Sequence, residues 1–180
     1  FPYLPAMSAM PATTPRMPPR REWTMTEQAL EAWGKGLGEA AGAGGLALPL
    51  VIGLRGPLGA GKSVLARAVA RGAGVAGRMP SPTYNLLFSY EGRGGVAIHH
   101  LDLYRLEDPE DVWELGWREL GEGDQIVLVE WPERAESLMP GDRWDVTLSF
   151  VEGEESLRRV AVQRRGGAPA VPPPDQEARS

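Results

Sequence analysis

Apolar residues recur at helical spacing in two stretches of the chain. Leu30, Trp33 and Leu37 give the first helix its apolar face. Thr24 or Thr26 can cap its start, and Glu27 favours the positive helix end. Val64, Leu65, Ala68 and Val69 mark the second, which Arg71-Gly72-Ala73-Gly74 stops. Between the two, Leu46 to Leu54 is a nearly unbroken apolar run, the pattern of a buried strand. Leu86 to Tyr90 and Val96 to Tyr104 read as strands joined by a turn over Gly92 to Gly95. Alternation in the second of these puts His100, Asp102 and Tyr104 on one face and Leu101 and Leu103 on the other. Asp108-Pro109-Glu110-Asp111 combines a cap, a first-turn proline and two acids, so a helix is expected there, with Val112, Leu115 and Leu120 inward. Gln125 to Val129 is a short apolar strand ending in Glu130, and Pro132 opens a helical stretch to about Leu138. Trp144 to Val151 and Leu157 to Val162 predict a C-terminal hairpin turning near Gly153.

The ends lack such patterning. Residues 1–22 carry Pro2, Pro5, Pro11, Pro15, Pro18 and Pro19 and read as a disordered extension. Arg16, Arg20 and Arg21 follow its apolar part, the reverse of a secretory signal, and the prolines spoil the amphipathic helix of a transit peptide. Met25 stands where the folded part begins, so an upstream start would also produce this extension. Residues 23–165 are expected to form one domain, and 166–180, rich in Gly, Ala and Pro, a second disordered tail.

Composition narrows the class. A hydrophobic content of 42 % supports a sizeable core, and no apolar run is long enough to span a bilayer. Cysteine is absent, which removes disulfide and thiolate chemistry and fits a cytoplasmic location. A net charge of −5 argues against strong direct binding of tRNA or any other nucleic acid.

The chemistry concentrates where the buried run meets the second helix. Gly56-Pro57-Leu58-Gly59-Ala60-Gly61-Lys62-Ser63 fits G-x-x-x-x-G-K-[ST], a loop whose backbone N–H groups cradle phosphates at a helix N-terminus. Gly59, Ala60, Gly61, Lys62, Ser63 and Val64 are the expected nucleotide-binding stretch, with Lys62 on the β- and γ-phosphates and the Ser63 hydroxyl on Mg²⁺. The chain has two lysines, Lys35 and Lys62, so a lysine retained among arginines marks a site where a planar fork would not serve. Such a loop needs a strand-end carboxylate for the metal, and Glu130 is in position. Asp102 either joins the metal set or orients the attacking water; its alternative is a carboxylate paired with His100 or Arg105. Thr83, in Ser81-Pro82-Thr83, is either a switch hydroxyl or part of a plain turn. Trp131 is either core or a nucleotide sensor beside Glu130. His99 and His100 read as structural. The guanine-reading Asn-Lys-x-Asp element is absent, since Asn85 is the only asparagine, which favours ATP.

Taken with His100-Leu101-Asp102-Leu103-Tyr104-Arg105-Leu106 and Val129-Glu130-Trp131-Pro132-Glu133-Arg134, these motifs resemble the TsaE (YjeE) family over roughly Thr26 to Phe150. The resemblance implies an α/β, P-loop NTPase-like three-layer fold with a mixed, mostly parallel sheet. It implies Mg²⁺-dependent ATP hydrolysis in bacterial tRNA threonylcarbamoyladenosine synthesis, with the proteins of the threonylcarbamoyl-transfer complex as partners. Since no sequence context fixes Arg105 or Arg134 over the γ-phosphate, hydrolysis is expected to be slow without them. It assigns Lys62, Ser63 and Glu130 to Mg²⁺–ATP, Asp102 to hydrolysis or metal positioning, and Thr83 to a mobile switch. By the same analogy Glu27 and Arg143 lie near the adenine or ribose. The rival readings are a small-molecule or nucleoside kinase and a non-hydrolysing, ATP-gated adaptor.

Overall fold

A computed structural model describes residues 20–175. The proline-rich extension up to residue 19 and the last five residues lie outside it, together with the expectations that fall on them. Seven strands form one mixed sheet in the order β1-β7-β6-β2-β5-β4-β3. They are β1 (Arg21–Thr26), β2 (Leu50–Arg55), β3 (Leu87–Glu91), β4 (Ala97–Asp102), β5 (Gln125–Glu130), β6 (Arg143–Val151) and β7 (Glu154–Arg165). The central β6, β2, β5 and β4 are parallel, and antiparallel pairs flank them. The C-terminal hairpin is β6–β7, turning at Gly153 with φ 78°.

β2 and β5 are buried on both faces, which is why they read as apolar runs with no alternation. On one face lie α1 (Glu27–Gly42) and α2 (Lys62–Gly72), packed on Ile52, Leu54, Ile126, Leu128, Trp144 and Val146. The two helices meet backbone to backbone: a Cβ on Gly38 would fall 1.9 Å from the Val69 carbonyl oxygen. On the other face, Val51, Leu101, Val127 and Val129 are covered by Val112, Trp117, Ala135 and Met139. These come from short 3₁₀ helices at Pro109–Leu115, Trp117–Glu119 and Pro132–Leu138 and the residue just after the last. The helix expected after Asp108 is therefore two 3₁₀ pieces, broken at Gly116, whose φ is 73°. Val112 is inward as expected, while Leu115 and Leu120 pack at the periphery.

Two departures come from contacts that local pattern does not encode. Arg21–Thr26 is a strand, with Met25 buried and Trp23 partly so. Thr26 both ends that strand and caps α1, accepting the Ala29 N–H at 3.2 Å, so the cap is Thr26 and not Thr24. Residues 166–175 are not a loose tail. They lie as a strap across the domain, with Ala168 and Val171 buried. The Trp144 indole N–H donates to Pro169 O at 2.8 Å, Trp33 to Pro172 O at 3.0 Å, and Arg21 to Val171 O at 3.0 Å. Proline-rich backbone has free carbonyls, and three distant donors hold these. A chain stopped after Arg165 should lose about 3 kcal/mol, from two apolar side chains and three hydrogen bonds. Its melting temperature, followed by circular dichroism, should fall by roughly 10 °C; an unchanged value would show the strap to be a passenger.

Candidate functional site

The loop at Gly56 leaves the end of β2 and turns into α2. Gly56 has φ 131°, and a Cβ there would sit 2.1 Å from Leu148 O, so no other residue fits the first turn. Gly61 precedes α2 as its cap and offers no side chain, which leaves the first N–H groups of that helix facing the cleft.

Lys62 is 4 % exposed. Its Nζ donates to Gly56 O at 2.7 Å and Pro57 O at 2.9 Å, and lies 4.0 Å from the centre of the Trp131 ring. Burial lowers its pKa, opposed by the charges of Glu130, Glu133 and Asp102. The Ser63 hydroxyl donates to Glu130 Oε2 at 2.8 Å, and His100 Nε2 meets Glu130 Oε1 at 2.8 Å. Asp102 pairs in register with Glu130 on the neighbouring strand. Its Oδ2 accepts the Thr83 hydroxyl at 2.7 Å and its Oδ1 the Tyr104 N–H at 3.0 Å. Neither His100 nor Arg105 is the partner of Asp102. Thr83 also shares a 2.7 Å hydrogen bond with Ser81.

These groups line one cleft of about 410 Å³. Gly59, Gly61, Lys62, Ser63, Val64, Thr83, Asp102, Glu130, Trp131 and Glu27, the first residue of α1, all reach it. Ala60 does not: its methyl is fully buried in the core below the loop. Arg143 does not either. It lies at the start of β6, bonded through Nε to Asp145 Oδ1 at 2.8 Å and through Nη2 to Glu136 Oε1 at 2.8 Å. Asp145 is buried and also accepts Arg165 Nε at 2.8 Å; the arginines hold its pKa low against the opposing effect of burial. An ion cluster on the sheet thus holds the arginine that the resemblance put near the adenine or ribose.

Leu58, Tyr104 and Arg105 also line the cleft. Tyr104 packs on Trp131 with ring centres 5.0 Å apart, and Arg105 lies over the Tyr84 ring at 4.4 Å. Leu58 belongs to the phosphate-loop motif, and Tyr104 and Arg105 to the motif around Asp102. β4 ends at Asp102, two residues short of the expected strand end at Tyr104, so both lie just beyond it. Trp131 has φ 58° and ψ 47°, a conformation that costs a bulky residue about 1–3 kcal/mol. Its backbone N–H donates to Leu54 O at 3.1 Å, and its indole ring lies over the Lys62 ammonium. Leu86, which follows the turn at 82–85, is the other non-glycine residue with positive φ among the described residues.

The donor set fits a nucleotide triphosphate with Mg²⁺. A capless helix N-terminus and an ammonium match phosphate; one hydroxyl and two carboxylates match a hard cation. Among the described residues no group of three or more His, Cys, Asp or Glu side chains is placed to hold a metal alone.

Comparison with known proteins covers the same elements. The family model described as "Threonylcarbamoyl adenosine biosynthesis protein TsaE" matches residues 24–160. The chain is 35 % identical over 117 residues to the "tRNA threonylcarbamoyladenosine biosynthesis protein TsaE" of Haemophilus influenzae, covering 65 % of this chain and 73 % of that one. It is 32 % identical over 116 residues to the protein of the same name from Bacillus subtilis, covering 64 % and 72 %. The crystal structure of Bacillus subtilis YdiB superposes with a TM-score of 0.66 at 25 % identity, over 84 % of this chain and 89 % of that one. The matched span runs from β1 into β7 and takes in every side chain that lines the cleft, and the chain belongs to the TsaE family.

Proposed function

We propose that this protein binds ATP with Mg²⁺ in the cleft and hydrolyses it in support of threonylcarbamoyl installation on tRNA adenosine. The observation that carries the reading is the meeting of Lys62 and the Ser63–Glu130 pair at the open N-terminus of α2. Lys62 and the loop N–H groups take the phosphates. Ser63 and Glu130 hold Mg²⁺, which when bound offsets the phosphate charge. Asp102 orients the attacking water or completes the metal set, and its bond to Thr83 ties the Ser81–Thr83 segment to that carboxylate. Glu27 and Trp131 flank the nucleotide.

The family relatives' names place them in tRNA modification, and the same pathway is proposed here, with partner proteins and in the cytoplasm. Among the described residues no helix is long and apolar enough to cross a membrane. The net charge of −5 favours partner proteins, and not this chain, as the tRNA-gripping surface.

Arg105 is the arginine that lines the cleft, and it rests on Tyr84, not on the loop. A transition-state cation supplied in trans is worth about 10³ to 10⁵ in rate. The isolated protein should therefore bind adenine nucleotides yet release phosphate slowly, and addition of the threonylcarbamoyl-transfer proteins should accelerate it. Steady-state phosphate release, alone and then with those proteins with and without tRNA, tests this. Fast hydrolysis in isolation with no response to partners would overturn the coupled reading.

A further inference from the structure

We infer that His100 is a positioning residue that holds Glu130 on the metal side of the cleft; the inference rests on the Mg²⁺–nucleotide reading above. The imidazole is 2 % exposed and Glu130 also 2 %, so water does not compete for either group. An ionised carboxylate only accepts hydrogen bonds, so the 2.8 Å contact requires a proton on His100 Nε2. Glu130 is then fixed from two sides. Ser63 on α2 holds Oε2 and His100 on β4 holds Oε1.

The strand register shows why His100 reaches. His100 pairs with Leu128 and Asp102 with Glu130, so the imidazole stands on the same sheet face one alternation below the carboxylate. Lys62 is the reason such a hold matters. Its ammonium is electrostatically coupled to Glu130 and has given up much of its solvent. A Glu130 released by His100 would have an unsatisfied oxygen and would turn toward the ammonium. It would then neutralise the charge meant for phosphate and leave the Ser63 hydroxyl unpaired. His100 thus keeps the acid and the base of the cleft apart. A histidine that served only as core filler would need no proton aimed at this carboxylate.

The test is binding of a fluorescent ADP analogue to the full chain, measured with and without Mg²⁺, with thermal melts alongside. His100→Leu removes the donor, and the magnesium-linked gain in affinity should shrink by about 10- to 100-fold, the usual effect of losing a group that orients a metal ligand. His100→Gln carries an amide N–H to about the same reach as imidazole Nε2 and should restore most of the gain. In a Glu130→Gln background, His100→Leu should leave the magnesium-linked gain where Glu130→Gln alone puts it, because both changes act through one carboxylate. Should His100→Leu lower only the melting temperature and leave the gain intact, the role is structural and the inference is overturned. A folded His100→Gln that behaves like His100→Leu would overturn it equally. A wild-type protein that binds the analogue without any magnesium-linked gain would overturn the metal role of Glu130, and this inference with it. Absence of any nucleotide binding by the wild type would strike instead at the proposed function.

Discussion

Replacing Lys62 by alanine should weaken ATP binding by at least about 10³-fold, roughly 4 kcal/mol, while the domain stays folded. Lys62 is nearly buried, so its charge acts with little solvent screening, and two charge-assisted contacts to phosphate are of this size. The fold survives because the ammonium bonds only to Gly56 O and Pro57 O of its own loop and to the Trp131 face. Lys62→Arg should fail almost as badly. A planar guanidinium in a pocket bounded by two carbonyls and an indole cannot swing as a point charge between them and phosphate. Titration with a fluorescent ATP analogue, beside circular dichroism melts, measures both. Unchanged affinity in Lys62→Ala would remove the phosphate-loop assignment.

Asp102→Asn and Glu130→Gln should separate chemistry from metal binding. Asp102 bonds the Ser81–Thr83 segment, whereas Glu130 bonds Ser63 at the end of the phosphate loop. Asparagine at 102 is tolerated locally, because the Thr83 hydroxyl can turn its proton to Ser81 and accept from the new amide. Nucleotide affinity should stay within about threefold, a change of under 1 kcal/mol, while partner-stimulated turnover drops by about 10²-fold or more. Glutamine at 130 loses the negative charge, so the dependence of binding on Mg²⁺ should weaken first and turnover with it. Equal effects of the two changes on affinity alone would show that the carboxylates share one role.

The loop, its lysine and Glu130 were legible in the sequence because each belongs to a contiguous motif at the end of a strand. Asp102 was legible by alternation within a strand read to Tyr104, where β4 in fact ends at Asp102 itself. The fold class followed from the same strand, loop and helix pattern, and YdiB shares that fold. What escaped was nonlocal. Trp23 and Met25 do not share a helical face with a partner nearby, and the two threonines around them signal a helix cap as strongly as a strand, whose partner β7 comes from the far end of the chain. The strap at 166–175 has the composition of disorder, and its anchors are indoles on α1 and β6. Arg143 is the converse case: the resemblance implies a place near the nucleotide, whereas in the fold it is bonded to Asp145, two positions along the same strand and on the same face. His100 was placed on the correct face by alternation, but its target lies on a strand that pattern alone cannot dock beside it.

The pairing of β1 with β7 also dictates when this chain can fold. The two helices and the phosphate loop are close in sequence and can associate early, but the first strand has no hydrogen-bonding partner until the last has been made. On the ribosome, β6 would therefore emerge as an unpaired edge with Met25 and Trp23 still uncovered, a sticky arrangement until β7 follows. Closure of the sheet thus waits on β7: a nascent chain stalled before Arg165 carries a complete phosphate loop on a sheet it cannot yet close.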